Sequence, residues 1–414
     1  MGPPPFHHIY GEVRADLLLP PLLLLEFFQL PPAAAVYDVV ELGAAADGSA
    51  DSAPPLLRAW DLACRSPLPA AVHVPWGGSS SARSRSRGPA GAVAVKIDGT
   101  LVAAASHGGA AAVDPTPERW IVFDGVRGLS ITGGTLDGSG AALWACKAAR
   151  RSCPTGATSL TLSNSEDVVV AGVKSVDSEL YHVVVHGCRR VKLQSLQIAA
   201  PASSPNTDGV HVQMSTAVTI YGAAIRTGDD CISVGPARPT SSSSESPAGR
   251  VTASGNRIGS LGKTYEEEGV TNVTVTWAVF AGSSNGLRIK SWARPVPDSL
   301  RESSSSTCSC GTSRTPSSLT RTTVPTPSPV LSRNALKNIF LSGFGVRISE
   351  VRFNDIRGSS ATPVAVNFNC SRSSRCRDIF LQDVKLTFGD RPAKSSCSHV
   401  DGAASGVMSP PSCL

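Results

Sequence analysis

Short β-branched runs recur along this chain in one style, and that recurrence limits the fold more than any other feature. They are LSI at 129–131, VVV at 168–170, VKL at 191–193, VTI at 218–220, VTV at 273–275 and IFL at 379–381. The shorter intervals are roughly 25 residues, inside the range of solenoid repeats. Each run is followed by a turn-prone residue and a second apolar pair, as in VVVAGVKSV at 168–176. Helical periodicity is nearly absent between the runs, so helix-bearing repeats fit poorly and a parallel β-helix fits well. No coil of such a fold buries its inner face alone, so neighbours stack into one core and residues at equal points of successive coils line a long groove. A groove of that shape suits a linear polymer. An ordinary β-sandwich is the alternative the pattern leaves open.

Composition agrees with one large all-β domain. The chain has 414 residues, of which 41% are hydrophobic and 17% charged. Its net charge of +6 suits a polyanionic partner, because a basic surface concentrates acidic ligands. Nucleic acid is disfavoured: there is no basic helix, zinc-knuckle spacing or aromatic RNA-binding motif. Residues 17–35 (LLLPPLLLLEFFQLPPAAA) form an apolar run ending in small residues, with Ala33 and Ala35 spaced like a cleavage site. Residues 1–35 are therefore expected to be a secretory leader, although Pro20, Pro21 and Glu26 interrupt the run. A buried helix is the other reading of this segment, and the two prolines oppose it. No other stretch approaches the roughly 18 apolar residues that span a bilayer. Eleven cysteines favour an oxidising compartment, and an odd number cannot all pair within one chain. Asn272 and Asn369 begin possible glycosylation tripeptides.

Three acidic residues carry the chemistry. Asp208 lies in NTDG at 206–209, and Asp229 and Asp230 lie in TGDDC at 227–231. Both sites adjoin apolar runs, VHV at 210–212 and CISV at 231–234, and they lie about one coil apart. Alone, an Asp before Gly is usually a turn residue; one coil apart in a β-helix, the two sites can meet. Inverting glycoside hydrolysis needs a carboxylic acid to protonate the leaving oxygen and a carboxylate to activate water, roughly 6.5–9.5 Å apart. Further along, LRIK at 287–290 sends Arg288 and Lys290 to one side of a strand, with Ile289 behind. Two cations on one face make a clamp for a substrate carboxylate; an ordinary solvated edge is the plainer account.

These motifs, in this order, resemble the Asn-Thr-Asp, Gly-Asp-Asp and Arg-Ile-Lys motifs of plant polygalacturonases, glycoside hydrolase family 28. The likeness extends to YDVVELG at 37–43, IDGTLV at 97–102, GGTLDG at 133–138 and SSPNTDG at 203–209, and covers most of residues 36–402. It implies a single-stranded, right-handed parallel β-helix of the pectin-lyase-like class over residues 36–414. It implies a secreted, monomeric cell-wall hydrolase that cleaves α-1,4-galacturonosyl linkages of pectin or polygalacturonate with inversion and without a metal or other cofactor. Asp229 would be the general acid, with Asp208 and Asp230 positioning and activating water; Asn206 would support the site, and Arg288 and Lys290 would hold a galacturonate carboxylate. Cys370 with Cys376, and Cys397 with Cys413, are the pairs the resemblance implies. Two alternatives stand beside it: a pectin-binding pseudoenzyme or pseudogene product, and a calcium-dependent pectate lyase, which needs a calcium cage and an arginine base.

One family motif is missing. Gly-His-Gly should precede IGSLG at 258–262, where this chain has ASGNR at 253–257, and none of His73, His107, His182, His186, His211 or His399 stands in its place. His182 and His211 read as structural or groove-lining residues. Three stretches also break the repeat style, Ser79–Gly91, Ala237–Ser254 and Ser303–Pro329, being rich in Ser, Pro, Thr and Arg as linkers are. The genetic code offers an account. Bases encoding 248–254 permit CGPGHGI when read one position earlier; those for 316–325 permit PIIVDQNYCP, and those for 79–86 permit FLLGPVTF. All three resemble family sequence at those places, which implies local frame disruptions in the coding sequence. The written chain then also lacks the cysteine near 248 that Cys231 would pair with, a loss that typically costs about 2–5 kcal/mol; Cys308 and Cys310 look accidental. Resequencing gene and transcript is expected to expose indels or mis-spliced junctions beside these stretches. Continuous reads through all three would overturn a sequence error.

Overall fold

The computed structural model describes residues 35–414 apart from 82–83, 88–91, 105–117, 237–245, 249–250, 254–255, 264–266, 268, 271–272, 277, 281–284, 293–307, 312–338, 344–345 and 361. The leader therefore lies outside the described residues, except that Ala35 opens the first strand, Ala35–Asp38. Asn272 and His107 lie outside them too.

Strands wind into a parallel β-helix with three faces. The first face carries the recurring runs: strands Ser130–Thr132, Glu166–Ala171, Arg189–Gln194 and Thr216–Tyr221 are neighbours in one sheet. Their register stacks Val168 on Val191 on Val218, and Val170 on Leu193 on Ile220. The same face resumes with Val273–Thr276, Cys308–Gly311, Ser349–Ser360 and Cys376–Phe388, stacking Val273, Cys308, Val351 and Ile379. Among the described residues every strand pairing is parallel, with one antiparallel exception, where Arg391–Pro392 returns along Cys376–Phe388. A β-sandwich, which needs antiparallel sheets packed face to face, is excluded.

The stacking explains the apolar recurrence. Each strand alternates sides, so every second residue of every coil enters a common interior. Val168, Val170, Val191, Leu193, Leu160, Leu162, Val185 and Val210 are all fully buried there. The strands of this face bend through left-handed backbone at equal points of successive coils, their second residues Asp167, Arg190 and Ala217. The open N-terminal end is closed by the helix Ala53–Arg65, which begins at two prolines and buries Ala59, Trp60 and Ala63. Trp60 meets Phe123 edge-on at 5.1 Å.

Cys370–Cys376 and Cys397–Cys413 are disulfides, as the resemblance implied. Cys146–Cys153 is a third, closing the turn after the helix Ala141–Ala148; no expectation had paired these two. Cys231 is buried in the core cluster, its thiol directed at the Ile225 carbonyl. The aberrant stretches are not simply linkers: Gly78–Ser81, Ser84–Arg87, Ser246–Ala248, Val251–Ala253 and Cys308–Gly311 are strands within the coils.

One of them sends hydroxyls inward. Ser84 and Ser86 are buried, and their register sets them beside Ile121 and Phe123. They line a cavity of about 30 Å³ among Leu56, Trp60, Val95 and Phe123. In the shifted frame these two positions read Val and Phe. Replacing both, Ser84→Val with Ser86→Phe, is expected to stabilise the fold by about 1–3 kcal/mol, the scale of burying such side chains. Urea denaturation measures it, and a lowered midpoint would show the space cannot take them.

Candidate active site

The three acids meet on the third face, where strands Val210–Gln213, Ile232–Val234, Asn256–Leu261 and Leu287–Ser291 follow one another. Asp208 ends the turn leading into the first of these, and Asp229 and Asp230 end the turn leading into the second. Main-chain bonds clamp the two turns: Gly209 N–H donates to Asp230 O at 2.9 Å, and Val210 N–H to Cys231 O at 2.9 Å. The Thr207 hydroxyl accepts from Gly228 N–H at 3.1 Å. Glycine is required where the turns touch. A Cβ on Gly228 would lie 1.9 Å from the Ser204 carbonyl oxygen, and one on Gly209 2.6 Å from that of Cys231. Asn206 is exposed with φ of 53°, and its left-handed turn swings Thr207 and Asp208 inward.

One oxygen from each of Asp208, Asp229 and Asp230 lies within 4.8 Å of the others. The nearest oxygens thus stand closer than the roughly 6.5–9.5 Å between the carboxyl groups of an inverting pair, and a cation lies among them. Arg257, from the strand Asn256–Leu261, brings its guanidinium to 2.7 Å from Asp230 Oδ2 and 4.0 Å from Asp208 Oδ2. The contact with Asp230 is a close ion pair without the alignment of a hydrogen bond. Three acidic oxygens at this spacing are also the donor set of a metal site, and here the guanidinium supplies the positive charge.

Register carries the pattern onward. His211, Ser233, Arg257 and Arg288 occupy one row across the four strands. Arg288 and Lys290 face outward with Ile289 buried between them, as alternation required. Lys290 Nζ lies 6.0 Å from the ring of Trp292, a half-exposed residue on the same side. The expected site residues other than Asn206 thus converge, and three more join them: Arg257, Ser233 and His211. Sequence reading passed over Arg257 because it stood in the segment examined for a missing histidine. Of that segment, 254–255 lie outside the described residues. His182 is structural: fully buried, with Nδ1 2.8 Å from Ser175 Oγ, its imidazole kept neutral by burial with a pKa of about 3.

Comparison with known proteins gives the family. The sequence profile of glycosyl hydrolases family 28 matches residues 64–298 and 339–409. The chain belongs to that family. It is 43% identical to a polygalacturonase of Prunus persica over 91% of its own length and 93% of that protein's. It is 31% identical to an exopolygalacturonase of Platanus acerifolia, over 91% and 97%. Among solved structures it resembles the endo-xylogalacturonan hydrolase of Aspergillus tubingensis, with a TM-score of 0.66 at 17% identity, covering 90% of this chain and all of that one. The Thermotoga maritima exopolygalacturonase gives 0.61 at 14% identity, over 91% and 92%. At those identities the structures speak for the fold, a right-handed parallel β-helix. The break in the family match, after 298 and before 339, contains the whole aberrant stretch Ser303–Pro329.

Within this family-28 site the carboxylates are not electrostatically equal. Asp208 is 2% exposed. Burial, joined by the charges of Asp230 and Asp229, pushes its pKa up to about 7 against the pull of Ser233 and Arg257. Burial also raises Asp230, with Arg257 opposing it. Asp229 is exposed, and its Oδ1 accepts the Asp230 N–H at 2.9 Å. A raised carboxyl pKa has a definite linkage sign. Below the unfolded value of 3.8 the Asp208 contribution to stability is fully present, and it is lost as pH rises through about 7. Asp208→Asn is therefore expected to melt higher than the parent at alkaline pH, the advantage vanishing at acidic pH. Parallel melting curves across that range would show that Asp208 carries no such cost.

Proposed function

We propose that this chain is a polygalacturonase that hydrolyses α-1,4-galacturonosyl linkages of pectin or polygalacturonate. The observation that carries the reading is the placing of Asp208, Asp229 and Asp230 beside the outward pair Arg288 and Lys290 on successive coils of one groove face. Anionic sugar needs cations to hold it and carboxylates to cleave it, and the register supplies both within four coils.

Asp229, the exposed acid, faces the groove and protonates the leaving glycosidic oxygen. Asp208 and Asp230 lie deeper and hold the attacking water, with Asp230 as the base and Arg257 opposing the burial that raises it. Arg288 and Lys290 take the carboxylate of a bound galacturonate, and Asn206 marks the rim. Inversion follows from family kinship rather than from the carboxylate spacing. The leader and three disulfides fit secretion to the cell wall, where disulfides persist. Among the described residues no helix is long and apolar enough to cross a membrane.

A lyase would need a deprotonated arginine and a calcium ion. Arg257 instead lies 2.7 Å from Asp230 Oδ2, an acidic partner that disfavours it as that base. Reducing-sugar release from polygalacturonate, in the presence of a calcium chelator, is the deciding assay for the chain as written, a frame-restored chain and Asp229→Asn. Turnover without ultraviolet-absorbing unsaturated product is expected, higher in the restored chain, and falling by roughly 10²–10⁴ in Asp229→Asn, the usual worth of a general acid. Binding without release by the written chain would make it a pectin-binding pseudoenzyme. Equal turnover by written and restored chains would show that the lost histidine is dispensable here.

A further inference from the structure

Ser233 and His211 receive no role from the family motifs, yet they form a hydrogen-bonded line that ends on Asp208. They are cross-strand partners on the groove side of adjacent coils. His211 Nδ1 lies 2.7 Å from Ser233 Oγ, and Ser233 Oγ lies 2.6 Å from Asp208 Oδ2. A serine hydroxyl has one proton to give. Since it is given to Asp208, His211 must donate to Ser233, which sets the neutral imidazole with its hydrogen on Nδ1. Tyr181, from the preceding coil, stacks on the imidazole with centroids 5.1 Å apart and planes at 18°. Ser233 itself is 0% exposed, so water does not compete for its hydroxyl.

We propose that His211, acting through Ser233, is the positioning residue that orients the Asp208 carboxyl for holding the attacking water and favours its charged form. Without the Nδ1–H, the Ser233 hydroxyl is free to turn from Asp208 toward the imidazole, and Asp208 loses the donor that favours its charge. The proposal rests on the hydrolase reading above. The charged and titratable groups facing this line are Asp229 and Asp230 from the next turn, Arg257 from the neighbouring strand, and Tyr181 and His186 from the coil before. None of the acids and bases among them sits between Ser233 and Asp208.

The test compares pH profiles of kcat/KM on polygalacturonate for the parent, Ser233→Ala, His211→Leu and His211→Asn. Ser233→Ala is expected to move the acidic limb upward by about 1–2 pH units, the worth of a hydrogen bond to a charged group, with KM nearly unchanged. His211→Leu shifts the limb the same way by less. His211→Asn restores it, because the asparagine amide places an N–H where Nδ1 stood. A uniform drop in kcat with no movement of the limb would reduce both residues to packing and overturn the proposal. A second measurement needs no turnover. The pH at which the fold loses stability is expected to rise in His211→Leu but not when His211→Leu is made on the Asp208→Asn background. A rise in both backgrounds, or in neither, overturns the coupling. A chain that shows the coupling but no turnover would leave the positioning intact and sink the hydrolase reading instead.

Discussion

In-register parallel stacking of coils is the constraint on which everything else in this molecule depends. Each coil satisfies its backbone N–H and C=O groups on the coils above and below, so the position of a residue in the groove is fixed by its place in the coil and not by local chain direction. His211, Ser233, Arg257 and Arg288 come from strands separated by long stretches of sequence, yet they form one row because their register is continuous. A slip of one residue in any of these strands would turn its groove-facing side chains into the core. The apolar residues between them, Val210, Val212, Ile232, Ile258 and Ile289, hold the register because each is buried on the opposite side.

The same stacking creates the electrostatic tension of the site. Two turns carrying acids are clamped by main-chain hydrogen bonds, so the carboxylates cannot separate to relieve repulsion. Burial raises Asp208 and Asp230 together, and Arg257 offsets part of this by standing between them. A hydrolytic site of this design spends stability to keep water-activating groups dry. Strength at Gly209 and Gly228 is correspondingly exacting, since any side chain there would push the turns apart.

How much of this was legible in the sequence follows from what each signal encodes. The coil period was legible because Val168, Val191 and Val218 must each fill an equivalent core position, and that requirement leaves a spacing in the chain. The acids and the Arg288 and Lys290 pair were legible through motif order. Arg257 was not, because what makes it matter is the register pairing Ser233 with Arg257, and pairing partners across coils leave no local mark. Ser233 and His211 were hidden for the same reason: either alone is an unremarkable polar residue on the outer side of a strand. Cys146 and Cys153 lie seven residues apart in a helix-and-turn detour that the repeat style does not foretell.

Backbone-driven stacking also explains how aberrant stretches can take part in the fold. Interstrand bonds are made by main-chain groups common to every residue but proline, so a segment with the wrong side chains still closes a coil. Val251–Ala253 pairs with Ala223–Arg226, and Ser84–Arg87 pairs with Glu118–Asp124, although the second lacks the apolar pattern of its neighbour. What such a segment forfeits is whatever its side chains were to supply. At Ser84 and Ser86 the forfeit is core volume, a matter of stability. Between Ala248 and Ser254 it is the histidine that the family motif would supply, while the residues on either side keep the acids, the guanidinium and the clamp in place. A solenoid can therefore carry a segment with foreign side chains without losing its architecture.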